Sequence, residues 1–286
     1  MAWLDDVLHG LTAADAWGYH GNQPTNTEPA ALAAMALVDR GNIAAAQRPL
    51  AWLVEHQWSD GSVGATGQED SPGWTTSLAI LAWRKADLLV GATNHRSELD
   101  RALAWTLRTS GQTLDHQADM GHDTTLTGWP WVEGTHSWLE PTAYAVLALK
   151  AAGYRDHPRT REAVQLIIDR LLPDGGCNYG NTLVLGQSTR PHVQPSGIAL
   201  AAVHEELDPS GRVRRTADFL QSSLAETTTA ASLSFACLGL GAANALPQSA
   251  GTCLAGVARK ALRRGASPYQ LALLVLAASA AAKPLQ

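Results

Sequence analysis

The chain has 286 residues, 45% of them hydrophobic and 16% charged, enough to bury a large core as one domain over 1–286. A formal charge of −5 with scattered signs excludes the basic face that a nucleic-acid partner needs. Three cysteines (Cys177, Cys237, Cys253) form no metal-type pairing, and the longest apolar run, about 271–282, is too short to span a bilayer. With Met1-Ala-Trp-Leu-Asp-Asp6 lacking the blocks of a secretory signal, the expectation is a cytoplasmic chain, with peripheral membrane contact left open.

In chain order, Trp17-Gly-Tyr19-His20 precedes Glu28-Pro-Ala-Ala-Leu-Ala-Ala-Met-Ala-Leu37, a segment apolar on almost every face and hence a buried helix. The pattern returns as Trp74-Thr-Thr-Ser-Leu-Ala-Ile-Leu-Ala-Trp83 and Glu140-Pro-Thr-Ala-Tyr-Ala-Val-Leu-Ala-Leu149. It returns again as Gln194-Pro-Ser-Gly-Ile-Ala-Leu-Ala-Ala-Val203, Thr227-Thr-Thr-Ala-Ala-Ser-Leu-Ser-Phe-Ala236 and Ser267-Pro-Tyr-Gln-Leu-Ala-Leu-Leu-Val-Leu276, six copies in all. Proline second in four of them suits a first helical residue, which makes the leading residue the N-cap or its neighbour. Glu, Gln and Trp in that slot are not what capping alone selects. Amphipathic segments at 42–57, 97–110, 158–172, 209–223 and 249–264 alternate with the apolar ones, divided by turns such as Ser59-Asp-Gly-Ser62, Pro173-Asp-Gly-Gly176 and Asp208-Pro-Ser-Gly211. Six such hairpins predict an all-α fold, an (α/α)6 toroid with inner and outer helix rings, against the competing open solenoid.

The densest polar stretch runs from Asp119 to Glu140 and carries His122, Asp123, Trp129, Trp131, His136 and Trp138 ahead of an inner helix. Long ordered connections of this kind often hold function. Glu140 is the candidate general acid, with Asp123 as the other catalytic candidate. Burial would raise the glutamate's pKa while the helix N-terminus would stabilise its carboxylate. Glu28 and Gln194 share its repeat slot, so the three are expected to face a common mouth. Trp17, Tyr19, His20, Trp74, Trp129, Trp131, His136, Trp138, Asn178, Tyr179 and Asn181 are the further substrate-binding candidates. Their aromatic faces suit a cation or a sugar ring. No metal and no cofactor is expected; Cys177 and His192 are a lone pair of donors without a site's spacing.

Trp52-Leu-Val-Glu-His-Gln57-x-x-Asp60-Gly61-Ser62 resembles the QW-type repeat of the prenyltransferase/squalene-cyclase (terpene cyclase) superfamily, with Val63 where that family carries an aromatic. Pro173-Asp-Gly-Gly-Cys-Asn-Tyr-Gly-Asn181 is similar to a second such turn. Aligning Thr142-Ala143 with the family's Asp-x-Asp-Asp-Thr-Ala puts Glu140 on the proton-donating position, with Trp138 and Pro141 replacing the outer acids. The resemblance implies a toroid and a terpene-cyclase-like isomerase that protonates a polyprenyl substrate in an aromatic-lined cavity, with a small apolar or isoprenoid ligand as partner. Two alternatives stand beside it. One is an (α/α)6 carbohydrate-active enzyme with paired carboxylates, Glu28/Glu140 or Asp123/Glu140. The other is a non-catalytic module that binds lipid or peptide.

Overall fold

A computed structural model describes residues 2–68, 73–91, 94–117, 119–227, 229–282 and 285; Thr228, in the fifth repeat copy, lies outside them. The six apolar copies form helices α2 (Thr27–Asp39), α4 (Thr76–Val90), α6 (Leu139–Ala151), α8 (Val193–Val203), α10 (Ala230–Ala242) and α12 (Pro268–Ala278). The amphipathic segments form α3 (Ile43–Glu55), α5 (Arg96–Arg108), α7 (Pro158–Asp169), α9 (Arg212–Ser223) and α11 (Ala250–Arg263). The sixth outer helix is α1 (Ala2–Thr12), in a segment that sequence reading left without an element. A short antiparallel hairpin pairs β1 (Leu183–Val184) with β2 (Gln187–Ser188).

The ring closes. Each inner helix packs on the next from α2 through α12, and α12 returns to α2, while α1 lies against α11 and α12 across the seam. This is the (α/α)6 toroid and not the open solenoid. Closure follows from residue size: α2 buries every position from Thr27 to Val38, and five of these twelve are alanine. The contact of α8 with α10 is as close as glycine allows: a Cβ on Gly197 would stand 2.2 Å from the Phe235 carbonyl oxygen.

The QW-like turns have a shared backbone reason. Gly61 (φ +97°) and Gly175 (φ +95°) both lie so close to an outer helix that a Cβ would sit 2.3 Å from the Arg101 oxygen and 2.2 Å from the Arg215 oxygen. Gln57 Nε2 ties the first turn down by donating to the Gly61 and Glu98 carbonyls at 3.0 and 2.9 Å.

The register of the repeat needs one correction. The N-caps are Asn26, Trp138, His192, Thr229 and Ser267, so Glu28, Glu140 and Gln194 are second helical residues, not caps. Their prolines are third, still within the turn whose N–H groups lack an intrahelical acceptor; of the four, only Pro268 is a first residue. Counted from the caps, the fifth and sixth copies place Ala231 and Tyr269 in the slot, rather than Thr227 and Ser267.

In three copies a hydroxyl two residues after the slot pins the preceding loop. Thr142 Oγ1 accepts from the Trp129 N–H at 2.9 Å and donates to the Trp138 carbonyl at 2.6 Å. Thr76 does the same for Val63 and Gly73, and Ser196 for Cys177 and His192. Trp74 therefore occupies the second copy's slot. Thr142→Val keeps the shape but strands a buried N–H, and urea denaturation should show a loss of about 1–3 kcal/mol; an unchanged midpoint would remove the pin's importance.

Candidate active site

Because the inner helices point the same way, their second residues meet at one mouth. Glu28 and Glu140 are 5% and 4% exposed there. The Tyr19 hydroxyl donates to Glu28 Oε2 at 2.5 Å, and Tyr269 hydrogen-bonds the same carboxylate. Gln194 Nε2 donates to Glu140 Oε1 at 3.3 Å. Trp74 stacks on Tyr144 with centroids 5.5 Å apart and meets the edge of Trp131 at 4.8 Å, while Tyr19 and Tyr269 lie 5.0 Å apart.

Burial pushes Glu28 up to about 8, against the Tyr19 hydrogen bond, and the Glu140 charge adds to the rise. Burial also pushes Glu140 up to about 7, partly offset by Gln194. Desolvation thus outweighs the helix N-termini, which favour the anions. Near neutrality the two carboxylates titrate as a pair that keeps at least one proton. The Tyr144 hydroxyl is buried without a hydrogen-bond partner among the described residues, and burial followed by the Glu28 charge lifts its pKa well above the phenol's ordinary value.

The linkage has a definite sign. Both folded values exceed the ordinary 4.5, so the native state holds more protons than the unfolded chain between about 4.5 and 8. Stability is then greatest on the acid side of that window and falls as pH rises through 7 and 8. Glu28→Gln removes most of this loss. Its melting temperature should exceed that of the parent above pH 8 by the equivalent of about 2 kcal/mol or more, with the gain vanishing near pH 4.5. Parallel Tm–pH curves for the two proteins would show that burial does not hold the proton.

The mouth gathers only part of the expected set. Glu28, Glu140, Gln194, Tyr19, Trp74 and Trp131 come together; Tyr269 and Tyr144 join them unforeseen. Tyr269 was legible only in the register counted from Ser267 as cap, and Tyr144 sits one helical turn below Glu140. Trp17 and Trp129 are core residues instead, 4% and 2% exposed: Arg48 lies 5.5 Å over the first ring, Arg159 lies 4.6 Å over the second, and Trp129 Nε1 donates to the Thr106 carbonyl. Asp123 is also corrected. It sits on a loop where its carboxylate accepts from Thr125, whose hydrogen bonds hold its pKa down, so it stays ionised and makes a poor proton donor at neutral pH. His20 is exposed, and Asn178 closes its own loop through the Arg190 carbonyl and the Tyr179 N–H.

Two clefts open beside the mouth. One, of about 350 Å³, is lined by Tyr179, His192, Gln194, Thr227, Thr229 and Ser232, so it reaches the partner of Glu140 through polar walls. The other, of about 250 Å³, takes His136, Trp138 and Asn181 away from the carboxylates and groups them with Arg170 and His122. As for metals, Cys177 is buried against Ser196, and burial pushes its thiol up to about 12, which opposes the thiolate that zinc requires. Among the described residues no group of three or more His, Cys, Asp or Glu side chains is placed to hold a metal ion. Among them, too, no helix is long and apolar enough to cross a membrane.

The fold defines the class of protein. No family model matches the sequence, and a search of curated proteins finds no match. Solved structures do match. The chain is similar to endo-beta-1,4-glucanase CMCax from Acetobacter xylinum, with 12% identity, TM-score 0.58, and 98% of this chain and 99% of that one covered. It is similar to a glycosidase variant, E335A, in complex with glucose, with 14% identity, TM-score 0.57 and 99% and 98% covered. It also resembles Salmonella alpha-2-macroglobulin reacted with methylamine, at 15% identity and TM-score 0.55, where 97% of this chain spans 17% of that protein. At these identities the likeness establishes the toroid. It does not extend to the squalene-cyclase superfamily in particular, and the terpene-cyclase, isoprenoid-isomerase expectation is overturned: the neighbours are glycosidase and endoglucanase, and the cleft that reaches Gln194 has polar walls.

Proposed function

We propose that this chain is a carbohydrate-active enzyme that cleaves a glycosidic bond with Glu28 and Glu140 as its acid–base pair. The observation that carries this is the pair itself: two buried carboxylates in matching helical slots, with raised pKa values of about 8 and about 7. Such a pair holds one proton and one charge near neutrality, as this chemistry requires. The protonated member donates to the leaving glycosidic oxygen, and the ionised member activates water or attacks the anomeric carbon. Tyr19, Tyr269 and Gln194 orient the carboxylates. Trp74 and Trp131 offer ring faces to a sugar, and the polar cleft beside Gln194 admits the rest of the saccharide. Tyr19, exposed on the loop before α2, stands at the solvent side of Glu28. The likeness to the glucanase and to the glucose-bound glycosidase supports the substrate class at the level of fold analogy.

The test is a panel of neutral oligosaccharides, β-1,4-linked gluco-oligosaccharides included, followed by reducing-end release across pH. A bell-shaped profile centred near neutrality is expected, because one carboxylate must be protonated and the other ionised. The absence of turnover on every linkage would sink the reading.

A further inference from the structure

The cleft that gathers Arg170, His122, His136, Gln112, Asn181 and Trp138 is not used by the chemistry above. Its floor is a cation. Arg170, at the C-terminal cap of α7, is 8% exposed, and its Nη1 donates to the Ser137 carbonyl at 2.6 Å. Its Nε is buried with no hydrogen-bond partner among the described residues. Asp169 acts on it through charge, but the Asp169 carboxylate already accepts the Asp123 N–H at 2.7 Å. A buried guanidinium with an idle donor is costly, because a charged group left unpaired forfeits its hydration without compensation. Arginine's planar fork is shaped for two-point contact with carboxylate or phosphate oxygens.

We propose that this cleft, walled by Gln112, His122, Ser137, Trp138 and Asn181, binds an anionic group, a phosphate or a carboxylate, through Arg170. Leu114, Met120 and Trp138 make much of the wall apolar, and the polar groups are few and placed around Arg170. Gln112 and Asn181 add amides, and His136 lies at the exposed rim. His122, whose pKa is lowered by burial and then by the Arg170 charge, stays a neutral imidazole that contributes a hydrogen bond rather than a second cation. A volume of about 250 Å³ holds a phosphorylated or carboxylated small molecule rather than a bare ion alone. The site rests on its own side chains and stands whether or not the glycosidic reading does.

The experiment titrates the full chain with inorganic phosphate, glucose 6-phosphate, citrate and, as neutral control, glucose, read by calorimetry and by the arginine Nε–H resonances. A phosphate or a carboxylate arm should bind and shift the Arg170 Nε–H, with glucose silent at this resonance. Whichever arm is tighter assigns the source of the anion. Arg170→Lys should weaken binding by roughly tenfold or more, since the fork is lost while the charge stays. His136→Ala and Asn181→Ala, at exposed positions that leave the fold intact, should weaken it by several-fold and keep the proposal testable if Arg170 variants fail to fold. Glu140→Gln should leave anion binding unchanged, which separates this site from the carboxylate pair. An unmoved Arg170 resonance with both kinds of anion, or binding indifferent to all three cleft substitutions, would overturn the proposal.

Discussion

Glu140→Gln and Glu28→Gln are each expected to lower saccharide hydrolysis by roughly a hundred- to ten-thousandfold, the usual contribution of one acid–base group. Gln matches Glu in shape and still accepts the Tyr19, Tyr269 or Gln194 donors, but it can neither give nor take a proton at neutral pH. The loss should therefore fall on kcat with KM little changed, because binding through Trp74 and Trp131 survives. The double variant should be scarcely worse than either single one, since two groups that work as a unit do not add. Stability guards the interpretation: the same Glu28→Gln protein is expected to melt higher, not lower, above pH 8, so lost activity could not be blamed on unfolding. Full hydrolysis by either variant would refute the assignment.

Gly197→Val is expected to destabilise the toroid by roughly 3 kcal/mol, the upper part of the overpacking range, or several degrees in Tm. Any Cβ there meets the Phe235 carbonyl at 2.2 Å, and that oxygen belongs to the backbone of α10, so a rotamer change cannot relieve it. The helices must part, which also shifts Gln194, one turn earlier on α8, away from Glu140. Gly251→Ala provides the contrast. It lies in α11 with nothing within 4 Å of the added Cβ, and helix propensity alone should make it neutral or slightly stabilising. Equal melting temperatures for the two variants would mean that the α8–α10 contact yields without cost.

Much of the architecture was legible because it is written in local periodicity. The apolar copies and the five amphipathic segments become helices within a few residues of their expected bounds, since burial on all faces or on one face leaves its own spacing in the chain. The first outer helix escaped notice because Trp3, Val7 and Leu11 form only one short stripe, outside the repeat. The register slipped by two residues in the sixth copy because Pro268 stands at a helix's first position and Pro29, Pro141 and Pro195 at the third; in the fifth, which has no proline to mark it, it slipped by four. That slip hid Tyr269 from the site.

Local pattern alone marks the six inner helices and five of their outer partners, and it singles out Glu28, Glu140 and Gln194 as residues that capping did not select. Which aromatic rings stand at the mouth is settled by tertiary packing: Trp74 stacks on Tyr144 and meets Trp131 edge-on, while Trp17 and Trp129 pack against arginines. It also decided that the two glutamates keep a proton, and that Arg170 is buried with an idle donor. The reason is physical. Helix formation depends on residues three and four apart, whereas desolvation and the coupling of charges depend on groups more than a hundred residues apart, brought together only when the ring closes.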